Sequence, residues 1–255
     1  MRDLSKSIGE ALISALARSI EVNGNSALLY SGGLDSSIIA GISSSRGRIN
    51  LYTVGTEGSR DILEARKGAS ELGLELTEVI ASDEDVLISC HRLNDIFAKR
   101  LGRRPTRLEL SIYSPMVFAL ENVSEKVVLS GQGADEEFGG YSRYLRMDRS
   151  VLAEALNKDL DDLLLNGIRR DASIASEFGK TLVTPFLSTA VVSMAREMPL
   201  ELKIDGGTNK VILRAVAAML GLSAASAHKK AMQYGSGFEK AIKRLEHQSV
   251  LWYST

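Results

Sequence analysis

Ser31-Gly32-Gly33-Leu34-Asp35-Ser36-Ser37 gathers glycines, hydroxyls and a carboxylate between a short apolar run, Ser26 to Tyr30, and small apolar residues that read as a helix from about Ser36. A strand–loop–helix turn of this kind leaves backbone N–H groups unpaired beside the positive end of a helix dipole, which is a ready site for an anion. Gly32 and Gly33 let the backbone approach a ligand and take dihedrals that a β-carbon forbids. The loop lacks the G-x-x-x-x-G-K-[ST] spacing and the phosphate-binding lysine of the common P-loop. A second loop, Ser130-Gly131-Gln132-Gly133-Ala134-Asp135-Glu136-Glu137-Phe138-Gly139-Gly140-Tyr141, follows the apolar run Lys126-Val127-Val128-Leu129 far down the chain. Each residue also has a plainer reading. Asp35 and Ser36 could be helix caps, and Asp135-Glu136-Glu137 an ordinary acidic first turn. Lys229 and Lys230 could be solvated surface charge.

The elements that must position these residues alternate. A helical stripe from Asp3 to about Val22 ends at Asn23-Gly24-Asn25, and the helix after the first loop ends near Gly47. Ile49 to Gly55 and Leu74 to Ile80 read as strands, separated by a helix from Ser59 to Leu72 closed by Gly73. Ser82 and Asp85 have capping-box spacing and open a helix through about Lys99. Leu101 to Arg107 reads as an exposed basic loop. Leu108 to Asn122 reads as a helix bent or interrupted at Pro115. Strands alternating with helices imply right-handed crossovers and a parallel sheet whose ligands sit at the strands' C-terminal edge, where both glycine loops fall. Beyond Tyr144 strand signals cease. The expected division is an N-terminal helix (1–24), a nucleotide-binding α/β part (25–143) and a mainly helical part (144–255), forming one domain.

Composition narrows the classes. At 255 residues, with 44% hydrophobic and 25% charged residues, the chain has the makeup of a globular protein. A net charge of −1 and 5% aromatic content give no whole-protein pull toward nucleic acid or anionic membrane and few stacking platforms. One cysteine, Cys90, excludes an internal disulfide and a thiolate cluster, and suits the cytoplasm. His91, His228 and His247 have no ligand spacing. No run is long enough to span a membrane, and Met1-Arg2-Asp3 does not open a signal peptide.

The first loop resembles the signature of the ATP pyrophosphatases, which cut ATP between its α- and β-phosphates. With the second loop it resembles the synthetase domain of glutamine-dependent asparagine synthetases. The likeness continues in order through Val54-Gly55 and Asp61, Arg170-Asp171, Gly179, Thr184-Pro185-Phe186-Leu187, Lys210 to Arg214 and His228-Lys229-Lys230, from roughly Leu28 to about Gly237. The resemblance implies a Rossmann-like parallel α/β fold of the PP-loop type with an appended helical lobe. It implies ATP and Mg²⁺ as cofactors. Ser31, Gly32, Gly33, Leu34, Asp35, Ser36 and Ser37 would hold phosphates, and Leu29, Val54, Ser130 and Gly131 would line an adenosine pocket with Asp61 nearby. Asp35 and Asp135, hard carboxylates at two strand ends, would hold the metal. Lys230 would neutralise the α-phosphate, with Lys210, Gln132 and Glu136 completing the catalytic set. The implied reaction joins a carboxylic acid, aspartate or similar, to ammonia through an acyl-adenylate.

Three departures qualify that expectation. The chain reads as lacking the N-terminal glutaminase domain, leaving ammonia to free ammonium or a separate glutaminase subunit. Gln132 stands where the family usually carries glutamate, so proton transfer would fall to Glu136, the amine or no group. Ser111 takes the apparent place of an arginine, for which Arg104 or Arg107 could substitute, and Ser188 replaces an aspartate. Two other readings stay open: a tRNA-modifying pyrophosphatase, which would want a basic face, and a non-catalytic ATP-binding partner subunit, which would bind without turnover. Self-association is left open.

Overall fold

The computed structural model describes residues 2–20, 26–44, 49–226 and 235–248. The expected stops at Asn23-Gly24-Asn25 and Gly47, and the block His228-Lys229-Lys230, lie outside the described residues. Helix α1, Arg2–Ile20, turns a stripe of Leu12, Leu16 and Ile20 inward. Then come β1 (Ser26–Leu29), α2 (Leu34–Ser44), β2 (Ile49–Thr56), α3 (Arg60–Leu72), β3 (Leu76–Ala81), α4 (Asp83–Leu101), α5 (Arg107–Asn122), β4 (Val127–Leu129) and the one-turn α6 (Ala134–Phe138). The remainder is α7 (Arg149–Asp162), a π-helical turn (Leu163–Gly167), α8 (Ile168–Glu177), β5 (Thr181–Val183), α9 (Thr189–Glu197), α10 (Leu200–Lys203), the hairpin β6 (Ile204–Asp205) and β7 (Thr208–Asn209), α11 (Val211–Met219) and α12 (Phe238–His247).

Five strands form a parallel sheet in the order β3-β2-β1-β4-β5. The short apolar strands at its centre are covered on both faces, as a parallel sheet requires. Alternate residues enter opposite cores: Leu28, Leu51 and Leu129 join the side built from α1, α2 and α11, while Ala27, Tyr52 and Val128 join the side built from α4, α5 and α12. Strand order reverses at β1 and β4, so the crevice outside their C-terminal ends is where an open α/β sheet binds ligands. That is where both glycine loops begin.

The expected capping box is present, with Ser82 Oγ accepting from Asp85 N at 3.2 Å, and Gly73 closes α3 at φ 64°. Three expectations are corrected. Strands do not cease at Tyr144: Thr181-Leu182-Val183 adds the fifth strand, with Thr181 N donating to Lys126 O at 2.7 Å and Ser130 N to Val183 O at 3.0 Å. Its three residues are too few to show a period. Pro115 does not break α5, which runs unbroken because Leu110, Tyr113, Val117 and Phe118 bury its face. The segment Leu101 to Arg107 is only partly an exposed loop: α4 extends to Leu101, Pro105 is buried and Arg107 opens the next helix.

Candidate active site

The first loop is built from its own atoms and the helix behind it. Gly32 adopts φ +69°, and a β-carbon there would stand 2.4 Å from the carbonyl of Glu64, so only glycine lets the loop lie on α3. Gly33 takes no positive φ, and a β-carbon would meet only Ser31 Oγ at 3.3 Å. Its place is open, as close approach by a ligand requires. Ser36 Oγ donates to Gly33 O at 3.2 Å, and Ser37 Oγ lies 3.2 Å from the buried Tyr30 hydroxyl. Leu34, Ser36 and Ser37 are buried, whereas Ser31, Gly32, Gly33 and Asp35 keep accessible surface. Within the stretch expected to hold phosphates, the sequence thus mixes ligand-facing residues with residues that fasten the loop.

The second loop meets the first. A β-carbon on Gly131 would sit 3.1 Å from Asp35 Cβ. Asp35 and Asp135 converge on one point, the ammonium of Lys210: Nζ lies 2.7 Å from each oxygen of Asp35 and 2.6 Å from Asp135 Oδ1. The lysine side chain is 1% exposed. Lys210 is also the one non-glycine residue with positive φ, 54°, among the described residues. That conformation is disfavoured for a side chain and persists where surroundings enforce it. Gly140 makes room for the clamp, since a β-carbon there would lie 1.8 Å from Asp135 Oδ1 and 2.3 Å from Lys210 Cε. Asn209 Nδ2 donates to Gly140 O at 2.8 Å and ties the β6–β7 hairpin to the loop.

Burial shapes the acids around this point. Glu136 accepts from the Tyr141 hydroxyl at 2.5 Å, and burial, then the nearby Asp135, pushes its carboxyl above the usual range. Glu137 is 1% exposed and neither oxygen has a hydrogen-bond partner; burial lifts it well above that range, while Lys203 is pushed down by its own burial. Asp171 is buried and pushed up as well, partly offset by Arg170 and the Gln132 amide. Gln132 therefore borders an acid supplied by α8. Cys90 is buried, its thiol pushed up to about 11, as a core residue should be.

The other expected residues divide. Leu29, Val54, Ser130 and Gly131 lie half-buried at or beside the C-terminal ends of β1, β2 and β4. Asp61 stands on α3 against Gly235, whose added β-carbon would lie 2.0 Å from Asp61 Oδ1. Lys230 falls outside the described residues. Arg107 does not replace the missing arginine: Nη1 pairs with Glu239 at 2.8 Å and Nε with Glu246 at 2.5 Å. Ser111 is buried and donates to Leu108 O at 2.8 Å. Gly140 and Asn209 escape a sequence reading, because their roles exist only once the helical lobe closes on the loop. Two carboxylates aimed at one buried cation are the donor set a hard divalent ion wants, so these residues fit Mg²⁺ with phosphate oxygens completing its shell. Among the described residues no group of three or more His, Cys, Asp or Glu forms a metal site without such a ligand.

Sheet order, crossovers and paired loops define a Rossmann-like parallel α/β protein. Residues 7–175 and 147–251 match the asparagine synthase family. A putative glutamine-hydrolyzing asparagine synthetase 1 of Methanocaldococcus jannaschii is 33% identical over 262 residues, covering 86% of this chain and 47% of that protein. Asparagine synthetase domain-containing protein 1 of Gallus gallus is 41% identical over 140 residues, covering 51% of this chain and 21% of that protein. The NMN synthetase structure from Francisella tularensis covers 98% of each chain at TM-score 0.34 and 12% identity, too loose a likeness to carry an argument. The chain belongs to the asparagine synthase family, and spans less than half the length of these curated relatives.

Proposed function

We propose that this chain is an AMP-forming ligase unit that activates a carboxylic acid, aspartate or a close analogue, with ATP and passes it to ammonia as an amide. The observation that carries this reading is the convergence of Asp35 and Asp135 on one cation position beside the open Gly33. Phosphates would lie against Ser31, Gly32 and Gly33, and the adenosine between Leu29, Val54, Ser130 and Gly131. Mg²⁺ held by Asp35 and Asp135 would offset charge gathering on the departing pyrophosphate. Lys210, released from the aspartates as that ion is bound, would keep a positive charge at the phosphates, and Lys230 is assigned to the α-phosphate.

Gln132 cannot take a proton at neutral pH, so Glu136 is the group assigned to remove one from the attacking amine. Its burial raises its affinity for a proton above that of an ordinary carboxylate. Nitrogen would arrive at the acyl group as ammonia. The test is release of pyrophosphate from ATP with a panel of amino acids and small dicarboxylates, with and without Mg²⁺ and ammonium. The expected result is AMP and an amide of one acid, abolished in Asp35→Ala and Asp135→Ala. ADP formation, or tight ATP binding with no turnover for any acid, overturns it in favour of another phosphotransfer or a non-catalytic nucleotide-binding subunit.

A further inference from the structure

The π-helical turn Leu163–Gly167 joins α7 to α8, and such widened turns recur at functional sites. Beside it lies a cavity of about 510 Å³ whose wall includes Arg100, Arg103, Arg169 and Arg170 with Asp162 and Asn166. That volume suits a small organic ligand. Four arginines and one carboxylate line it, and Asp162 already accepts from Asn166 Nδ2 at 2.7 Å. Three acids behind the wall, Glu177, Glu109 and Asp171, pair with Arg100, Arg103 and Arg170. Glu177 is shared by Lys99 and Arg100, and Glu109 by Arg103 at 2.6 Å and Arg170 at 3.9 Å. Arg169 makes no ion pair among the described residues. Arg170 has its Nε buried with no hydrogen-bond partner, 3.5 Å from Asp171, while its guanidinium lies over the Tyr113 ring at 4.6 Å. Arg169, exposed and outside every ion pair among the described residues, is the cation left for a partner that is not part of the chain. Gly167 makes room inside the turn for Leu163, since an added β-carbon would stand 2.4 Å from Leu163 Cδ1.

We propose that this cavity binds a small anion carrying two or more negative charges on carboxylate or phosphate oxygens. Arg170 links it to Asp171 and so to Gln132 on the second loop, so the anion could be the far end of the acid substrate or a separate small molecule. The first source rests on the proposed function; the site itself does not.

The test uses the whole chain with nucleotide and Mg²⁺ absent and ionic strength fixed, titrating tricarballylate and inorganic phosphate separately by calorimetry. Saturable binding of at least one anion is expected, weakened roughly tenfold in Arg169→Ala and largely restored in Arg169→Lys, as loss of a charged hydrogen bond predicts. Arg169 is exposed, and circular dichroism melting checks that the variants fold. Arg100→Ala is the second variant and should weaken binding likewise. Absence of saturable binding, or equal affinity in wild type and both alanine variants, overturns the site. In the pyrophosphate assay, a bound anion that competes with the acid marks the substrate's far end, and one that leaves its KM unchanged marks a separate ligand. Failure of all turnover would sink the proposed function while leaving the calorimetric binding result intact.

Discussion

The two glycine loops leave neighbouring strands at the same edge of the sheet, yet they are held in opposite ways. The first is local: Ser31, Gly33 and Ser36 bond to one another, and Gly32 rests on the adjacent α3 backbone. The second is fixed by distant chain. An added β-carbon would strike Leu187 at Gly133, Ile204 at Gly139 and Lys210 at Gly140, and Asn209 holds the Gly140 carbonyl. One loop is shaped by its own sequence and the other by the helical lobe closing on it. Their meeting point is Lys210, so the site's two acids become a site only when the last third of the chain is in place.

The harshest way to break this arrangement is Lys210→Met. With the ammonium gone, Asp35 and Asp135 lose the cation they share. Loss of one partner from a buried pair costs about 3–5 kcal/mol. Urea unfolding without ligand should show that loss, and adding Asp35→Asn to the variant should recover a substantial part. If Lys210→Met alone costs under ~1 kcal/mol, the clamp does not join the loops as described.

Gly133→Ala tests the second loop's dependence on the lobe. A β-carbon would lie 2.3 Å from Leu187 Cδ2, at a backbone φ of +93°. Overpacking and backbone strain together are expected to cost roughly 2–4 kcal/mol by the same unfolding measurement. Leu187→Ala in that background should relieve the contact but not the strain.

The pH dependence separates the adjacent acids of α6. Glu137 is buried without a hydrogen bond among Glu136, Lys203 and Arg196, and its folded pKa is raised by burial. Between the ordinary carboxylate value and that raised one, the folded state binds more protons than the unfolded state. Stability contributed by neutral Glu137 is therefore present at low pH and lost as pH climbs through that window. Glu137→Gln cannot ionise and should flatten the fall in urea midpoint as pH rises above the ordinary carboxylate range. An unchanged slope would assign the dependence to other groups. Lys203, lowered by burial, adds the opposite slope at higher pH, where deprotonation becomes cheaper in the folded state.

The alternation of strands and helices was legible because apolar runs such as Ala27-Leu28-Leu29 and Val127-Val128-Leu129 are bounded by glycine loops, and because Ser82 caps its helix through its own neighbour Asp85, whereas the equivalent box of Thr106 and Glu109 went unread inside a basic stretch. The converging aspartates followed from parallel topology, since both sit just past strand ends. What stayed hidden depends on distant partners. Thr181-Leu182-Val183 is a strand because β4 offers an open edge, and Arg107 is spent on Glu239 and Glu246 from the far end of the chain. Lys210 stood out by resemblance, but nothing local announced that it would turn both aspartates toward itself.

The smallest expected effect on stability sharpens the contrast most. Gly33 has no positive φ, and an added β-carbon would meet only Ser31 Oγ, the end of an exposed side chain, at 3.3 Å. Alanine fits that backbone and restricts the unfolded chain, so Gly33→Ala should be neutral or stabilising by up to about 0.5 kcal/mol. The open space above it is nevertheless where phosphate oxygens would approach the loop amides. ATP binding, followed by fluorescence displacement, should weaken while the unfolding midpoint holds. If binding survives Gly33→Ala intact, the phosphates do not approach this glycine, and the first loop's open face serves no ligand. If stability collapses instead, the loop is not the self-contained turn its hydrogen bonds describe, and the distinction between the two loops fails at its simplest point.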